Sequence, residues 1–262
     1  MSPQRTDRRL AARIAKRAVP ARYRPEVFGA LGSVLYSGNG AECPCCGRSF
    51  RAFRLRQRVC PRCGSLGRHR LLWLFLERHP EMLRDAGDLL HFAPEYCLRR
   101  LLSRRPGLHY VTADRDSPLA DDRVNIETLP YADGSFGAIL CSHVLEHVND
   151  DRRAMSEMAR VLKPGGWAIV MTPVEPDRDS TLEDPSVTDP GERLRLFGQE
   201  DHVRIYGADL ARRLRKAGFE VSVERLVYAL PREIVQRMRL HEEGDDELYL
   251  CTKPTDRAPA RD

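Results

Sequence analysis

Residues 129–166, LPYADGSFGAILCSHVLEHVNDDRRAMSEMARVLKPGG, decide the fold. They predict a buried strand at 137–142, a long helix at about 151–162 closed by the LKPGG turn, and a further strand opening at Trp167. Between strand and helix, His143, Glu146 and His147 stand three and four residues apart, so a helical turn there would project them from one face. Outward from this segment the alternation of strand and helix continues. Strands are expected at 88–92, 109–113, 167–172, 220–227 and 247–252, with helices at about 97–103, 207–217 and 232–240. Such alternation belongs to an α/β fold with a doubly wound sheet.

The order LPY turn, strand, LEH, long helix and LKPGG resembles the core of class I, type-11-like methyltransferases that use S-adenosylmethionine (SAM). The likeness continues more weakly across about 87–254. It implies a Rossmann-like sheet, parallel except for an antiparallel last strand, with helices on both faces. In sheets of this kind ligands bind at the carboxyl ends of the strands, near the point where strand order reverses. The expected cofactor residues are His91, Ala93 and Glu95 after the first strand, Asp114 for the ribose hydroxyls, with Asp116 as a substitute, Asn125 and Ile126 for the adenine, and Ser142 on the central strand. The likeness is broken at LLHFAPEYC, because His91 occupies the family's acidic position and Ala93, Glu95 and Cys97 its glycine positions. Glycines there let backbone N–H groups approach a ligand, so two accounts stay open. Either the loop is remodelled, with Glu95 holding the SAM ammonium, or SAM binding has been lost. Gly137 replaces an aspartate usual at the start of the central strand.

His143, beside the expected methyl position, is a candidate general base, and His202 in FGQEDHVRIYG is a second. The H-x-x-E-H arrangement also resembles the metal motif of small-RNA 3′-terminal 2′-O-methyltransferases and ubiquinone-pathway O-methyltransferases. On that likeness His143, Glu146, His147 and His202 form a second metal site, suited to Zn²⁺, Fe²⁺ or Mn²⁺. Glu146 and His147 are equally readable as ordinary polar residues of the turn. The acidic, proline-bearing stretch 174–205 is too long for an ordinary connection and reads as a substrate lid or as a loop capping the sheet edge. Gln199, Asp201, His202 and Arg204 are its polar groups able to face a substrate.

Five of the eight cysteines lie between Cys43 and Cys63. Cys43-x-x-Cys46 and Cys60-x-x-Cys63, each followed by a glycine, form two knuckles able to present four thiolates to one structural Zn²⁺. Cys45 is a bystander, and a pair of disulfides is the alternative that a reducing compartment disfavours. So small a module holds little apolar material, so metal binding is expected to supply much of its folding free energy. A helix at about 71–83 would dock it on the main domain.

The chain has 262 residues, 31% charged and 42% hydrophobic, as expected of one α/β domain with an accessory module. The expected organisation is a basic arm at 1–39, the ribbon and docking helix at 40–84, the methyltransferase domain at 85–254 and a flexible tail at 255–262. No run is long enough to span a bilayer, and a cytoplasmic location is expected. The net charge of +5 is concentrated in the arm, where Arg5, Arg8, Arg9, Arg13, Lys16, Arg17, Arg22 and Arg24 could grip phosphate. Methyl transfer to an O or N nucleophile on a small molecule, a sugar or secondary metabolite, is the function the resemblance implies. Two alternatives remain, an RNA methyltransferase that uses ribbon and arm to hold RNA, and a non-catalytic binding protein without SAM.

Overall fold

The structure is a computed structural model describing residues 24–241 and 247–255. The arm residues Arg5 to Arg22 and the tail beyond Thr255 lie outside the described residues. Helix α1 (Arg24–Leu35) precedes an antiparallel ribbon of β1 (Ser37–Cys43) and β2 (Arg48–Phe50), followed by α2 (Gly67–Arg78) and α3 (Pro80–Asp85). Then come β3 (Asp88–Phe92), α4 (Tyr96–Leu102), β4 (His109–Asp114), β5 (Asp122–Arg123), β6 (Phe136–Ser142), α5 (Asp151–Val161) and β7 (Leu162–Met171). The lid region supplies β8 (Leu182–Glu183), α6 (Pro190–Phe197) and β9 (Arg204–Ile205). The chain closes with α7 (Leu210–Lys216), β10 (Glu220–Glu224), α8 (Leu226–Ala229), α9 (Arg232–Met238) and β11 (Leu248–Thr252).

Seven strands form one sheet in the order β10-β11-β7-β6-β3-β4-β5. β3 to β7 run parallel, and β11 lies antiparallel between β7 and β10. This is the mixed Rossmann-like sheet that the likeness implied. The order reverses between β3 and β6, which opens a crevice at their carboxyl ends. β6 is buried along nearly its whole length, because helices cover both faces of a parallel sheet. On α5, Ala154, Met155, Met158 and Val161 recur at helical spacing and are buried, and the Asp150 side chain caps the helix by accepting from the Arg153 N–H. Gly137 opens β6 because a side chain there would collide with the Ala86 carbonyl.

Several expected elements differ, among them β7, which begins at Leu162 and takes in the LKPGG stretch expected as a turn before Trp167. The docking helix is interrupted at His79, since Pro80 disfavours the α conformation in the residue before it. The strand expected at 220–227 is shorter: β10 stops at Glu224 and α8 follows. At residues 144–148 there is a single turn rather than a helix. The carbonyls of Leu145, Val148 and Asn149 are taken by the buried Arg204 guanidinium at 2.7, 2.5 and 2.9 Å, so they are not available to propagate a helix.

The ribbon is not an independent unit either. Phe50 and Phe53 are buried in the same apolar cluster as α2, Leu89, Ala138 and Leu140 of the sheet. Arg70 of α2, fully buried, donates to the carbonyls of Ser65 and Arg58 in the ribbon and of Met238 and Arg239 at the end of α9. Its guanidinium also lies 4.7 Å from the Phe53 ring centre, a cation–π contact. Packing on the sheet thus contributes to the ribbon beside the metal binding expected to supply much of its folding free energy.

Candidate active site

A cleft of about 480 Å³ lies over the carboxyl ends of β3, β4 and β6. Of the expected cofactor residues, Ala93, Asp114, Asn125 and Ile126 line it, together with Asp116. The Asp114 Oδ1 accepts the N–H groups of Asp116 and Ser117, both at 2.6 Å. These bonds fix the carboxylate at the strand end. Asn125 uses its amide oxygen on the Glu127 N–H at 3.0 Å, an Asx turn that shapes the cleft floor.

His91, Glu95 and Ser142 do not line the cleft. Glu95 is turned the other way, with its carboxylate 3.2 Å from His69 Nε2 on α2 and 3.1 Å from His91 Nε2 on β3. Burial alone would push this carboxyl up, but the two imidazoles hold it well below the usual carboxylate range. The account in which Glu95 holds the SAM ammonium therefore finds no support in its position. Ala93, at the first glycine position, has a φ of 49°, a left-handed conformation that favours glycine.

The catalytic candidates separate in the same way. His143 lines the cleft, and its Nδ1 lies 3.2 Å from Glu146 Oε1. Glu146 is buried and its other oxygen accepts from the Thr172 hydroxyl at 2.9 Å. Burial would raise the Glu146 carboxyl, yet His143 beside it keeps it below its ordinary value. An ionised Glu146 makes Nδ1 the proton-bearing nitrogen of His143 and Nε2 the basic one. His202 is buried and absent from the cleft wall. Its Nδ1 donates to the Phe197 carbonyl at 3.0 Å, and its Nε2 has no hydrogen-bond partner. Burial holds this imidazole below its usual value.

Ligand atoms of Glu146, His147 and His202 all lie within 4.8 Å of one another, and the His147 and His202 rings are 4.7 Å apart. His143 is not part of that group. Residues 201–204 alternate as an extended chain does: Asp201 and Val203 face the cleft while His202 and Arg204 are buried. Arg204 thus faces no substrate, contrary to expectation; it clamps the 145–149 turn and pairs with Glu183 at 3.1 Å. Gln199 also stays off the cleft wall. Arg193 of α6 lines it instead, a residue that helical spacing in an acidic lid gave no reason to choose.

At the ribbon, the sulfurs of Cys43 and Cys63 are 3.6 Å apart and those of Cys46 and Cys60 3.8 Å apart. A tetrahedron with Zn–S bonds of about 2.3 Å has edges of about 3.8 Å, so the four thiols fit such an ion. The Cys43-to-Gly47 and Cys60-to-Gly64 turns are closed by backbone bonds of 2.8 and 3.1 Å, with both glycines at positive φ. Cys45 is buried outside the set, 3.7 Å from the His69 carbonyl.

The family model described as "Methyltransferase domain" matches residues 103–170. A demethylmenaquinone methyltransferase of Renibacterium salmoninarum is 37% identical over 67 residues, which are 26% of this chain and 24% of that protein. A ubiquinone biosynthesis O-methyltransferase of Thiobacillus denitrificans is 30% identical over 123 residues, 46% of this chain and 51% of that one. The chain thus spans about half or less of the length of these relatives. Among solved structures, a SAM-dependent methyltransferase from Mesorhizobium loti is 16% identical with a TM-score of 0.49, covering 70% of this chain and 98% of that one. The 1,6-didemethyltoxoflavin-N1-methyltransferase of Burkholderia thailandensis is 15% identical with a TM-score of 0.48, covering 72% and 78%. Among the described residues no helix is long and apolar enough to cross a membrane. The matched residues 103–170 lie within the span of the seven-stranded sheet, so this part of the chain is similar to a methyltransferase domain, and a four-cysteine cluster precedes it.

Proposed function

We propose that the protein transfers a methyl group from SAM to an oxygen or nitrogen nucleophile of a small molecule, a hydroxylated metabolite or sugar, with His143 as the base. The observation that carries this reading is one cleft that brings together Asp114, Ile126 and His143 at the reversal of strand order. Asp114 would hold the ribose hydroxyls through its remaining carboxylate oxygen, and Ile126 would pack on the adenine. SAM supplies an activated methyl on a sulfonium. What the chain adds is position and proton removal: Glu146 orients His143, whose Nε2 takes the acceptor's proton. Arg193, Asp201 and Val203 would close over the acceptor from the lid. Calorimetry with SAM, followed by S-adenosylhomocysteine release in a panel of hydroxylated aromatics and sugars, tests the reading. Failure of the reduced, zinc-loaded protein to bind SAM would overturn it in favour of a non-catalytic binding protein.

The ribbon would hold one structural zinc, since thiolates fill every position of a tetrahedral site. Metal analysis of protein prepared under reducing conditions should find it, and Cys60→Ser should lose it. Because Phe50 and Phe53 share the sheet's core, that variant should also lower the unfolding midpoint of the whole protein.

A second ion at Glu146, His147 and His202 is favoured by the buried, unpartnered Nε2 of His202. Two imidazoles and a carboxylate suit Zn²⁺, Fe²⁺ or Mn²⁺. Two metals per chain, falling to one in His202→Ala, is the expected stoichiometry. One metal per chain after incubation with each of these ions removes this site and leaves His143 as a base acting alone.

A further inference from the structure

The position of Glu95 raises a question that the proposed chemistry leaves unused. At a position that the family likeness reads as a glycine, the loop after β3 carries a half-buried carboxylate off the cleft wall, held between two histidines. One of them, His91, belongs to β3 and has its Nδ1 2.8 Å from the Tyr110 hydroxyl on β4. The other, His69, comes from the helix that leaves the ribbon. We propose that Glu95 is a positioning residue through which the metal-loaded ribbon braces the cleft loop at residues 92–97.

The path is short and each step is a contact. Ser65 follows the last cysteine of the ribbon, with its hydroxyl 3.2 Å from the Cys43 sulfur and 3.4 Å from the Cys63 sulfur. The N–H of Leu66 donates to His69 Nδ1 at 3.2 Å, which leaves Nε2 as the nitrogen that donates toward Glu95. Cys97, the second residue of α4, lies 3.6 Å from the same His69 Nδ1. Glu95 is two residues from Ala93, whose backbone lines the cleft in a left-handed conformation. An alanine reaches that conformation only under constraint. Glycines would make the loop permissive, whereas here the surroundings over-determine it. The other end of the loop is fixed as well, since the Ala93 N–H donates to the Ala113 carbonyl at 3.0 Å.

A ribbon whose knuckles have relaxed can no longer hold Ser65, Leu66 and His69 in place. Glu95 then loses one of its two histidine partners, and a carboxylate so underpaired moves toward water and takes the loop with it. The consequence is linkage: zinc in the ribbon and a ligand in the cleft each favour the braced loop, so each strengthens the binding of the other by the same factor. The inference rests on the cofactor reading for the identity of the cleft ligand but not for the brace itself.

Hydrogen exchange on the full chain, with and without zinc, tests the brace with no ligand present. The amides of residues 92–97 should exchange faster once the metal is removed, while β6 keeps its protection. Equal exchange of the loop in the two states overturns the inference whatever SAM does. With SAM added, removal of zinc should weaken its affinity by on the order of tenfold, within the usual range of coupling between sites. Glu95→Gly should abolish that dependence, because it cuts the carboxylate link from the loop to His69. Persistence of the full zinc effect in Glu95→Gly overturns the role of Glu95. A loop that responds to zinc in a protein that never binds SAM upholds the brace and discards the cofactor reading.

Discussion

This molecule twice buries a glutamate against histidines, and the two clusters end up with different work. Glu95 joins His69 and His91 at the seam between ribbon and sheet, whereas Glu146 joins His143 at the edge of the cleft, with His147 and His202 behind it. In both, burial would raise the carboxyl and neighbouring imidazoles keep it below the usual range. What differs is the far side of each ring. The second nitrogens of His69 and His91 meet Leu66 and Tyr110 inside the protein. His143 presents its second nitrogen on a ring that lines the cleft. The same pair of groups is thus a proposed brace at the ribbon seam and a candidate base on a ring that lines the cleft.

The comparison is most exposed at His143. His143→Ala should lower the rate of S-adenosylhomocysteine release by about 10²- to 10⁴-fold with SAM affinity retained. A variant as fast as the parent protein would make both clusters structural. Next in size is Arg204, which fixes the turn carrying Glu146. Arg204→Met leaves the turn carbonyls without the guanidinium and takes from Glu183 one of its two arginine partners, and should cost about 3 to 5 kcal/mol in urea unfolding. An unchanged midpoint would mean that the turn holds its own shape.

A smaller effect is expected at the opposite wall of the cleft. Asp114→Ala should weaken SAM binding by about 1.5 to 3 kcal/mol, and undiminished affinity in calorimetry would move the ribose contact to Asp116. The smallest effect concerns pH. His202 has a folded pKa below its unfolded value of about 6.5, so the unfolded chain takes up its proton first. Stability tied to this ring is fully present above about pH 6.5 and is lost as pH falls through the lowered folded value. His202→Gln should flatten that limb of the stability profile, and an unaltered limb would assign the acid sensitivity to other groups.

Much of this arrangement is legible along the chain. The strand expected at 88–92 is β3 to the residue, and the expected helix at 151–162 is α5 within one position. Both have strong apolar periods and clear boundaries. The two C-x-x-C pairs pointed to four thiols that indeed converge, because a knuckle of fixed length sets its own geometry. Asp114, Asn125 and Ile126 reached the cleft because each sits where a strand end or tight turn leaves little freedom. The failures share a different cause. Helical spacing put His143, Glu146 and His147 on one face, but Arg204, 59 residues beyond Leu145, takes the turn's carbonyls and prevents the helix. Gln199, His202 and Arg204 were grouped as substrate-facing by polarity. The extended backbone at 201–204 points alternate residues to opposite sides, so of the expected group Asp201 faces the cleft, with Val203 beside it, while His202 and Arg204 are buried.

The sequence by itself determined the order of strands and helices, the residues of the cysteine cluster and the acid at the end of β4, since these follow from local periodicity and short spacing. Only the tertiary structure decided which way each buried charge turns. A carboxylate or guanidinium cannot be buried without partners, and the partners of Glu95 and Arg204 include residues on elements far along the chain, His69 of α2 and the turn after β6. Where those elements pack fixes Glu95 at the ribbon seam and His143 at the cleft, a choice that no local pattern encodes.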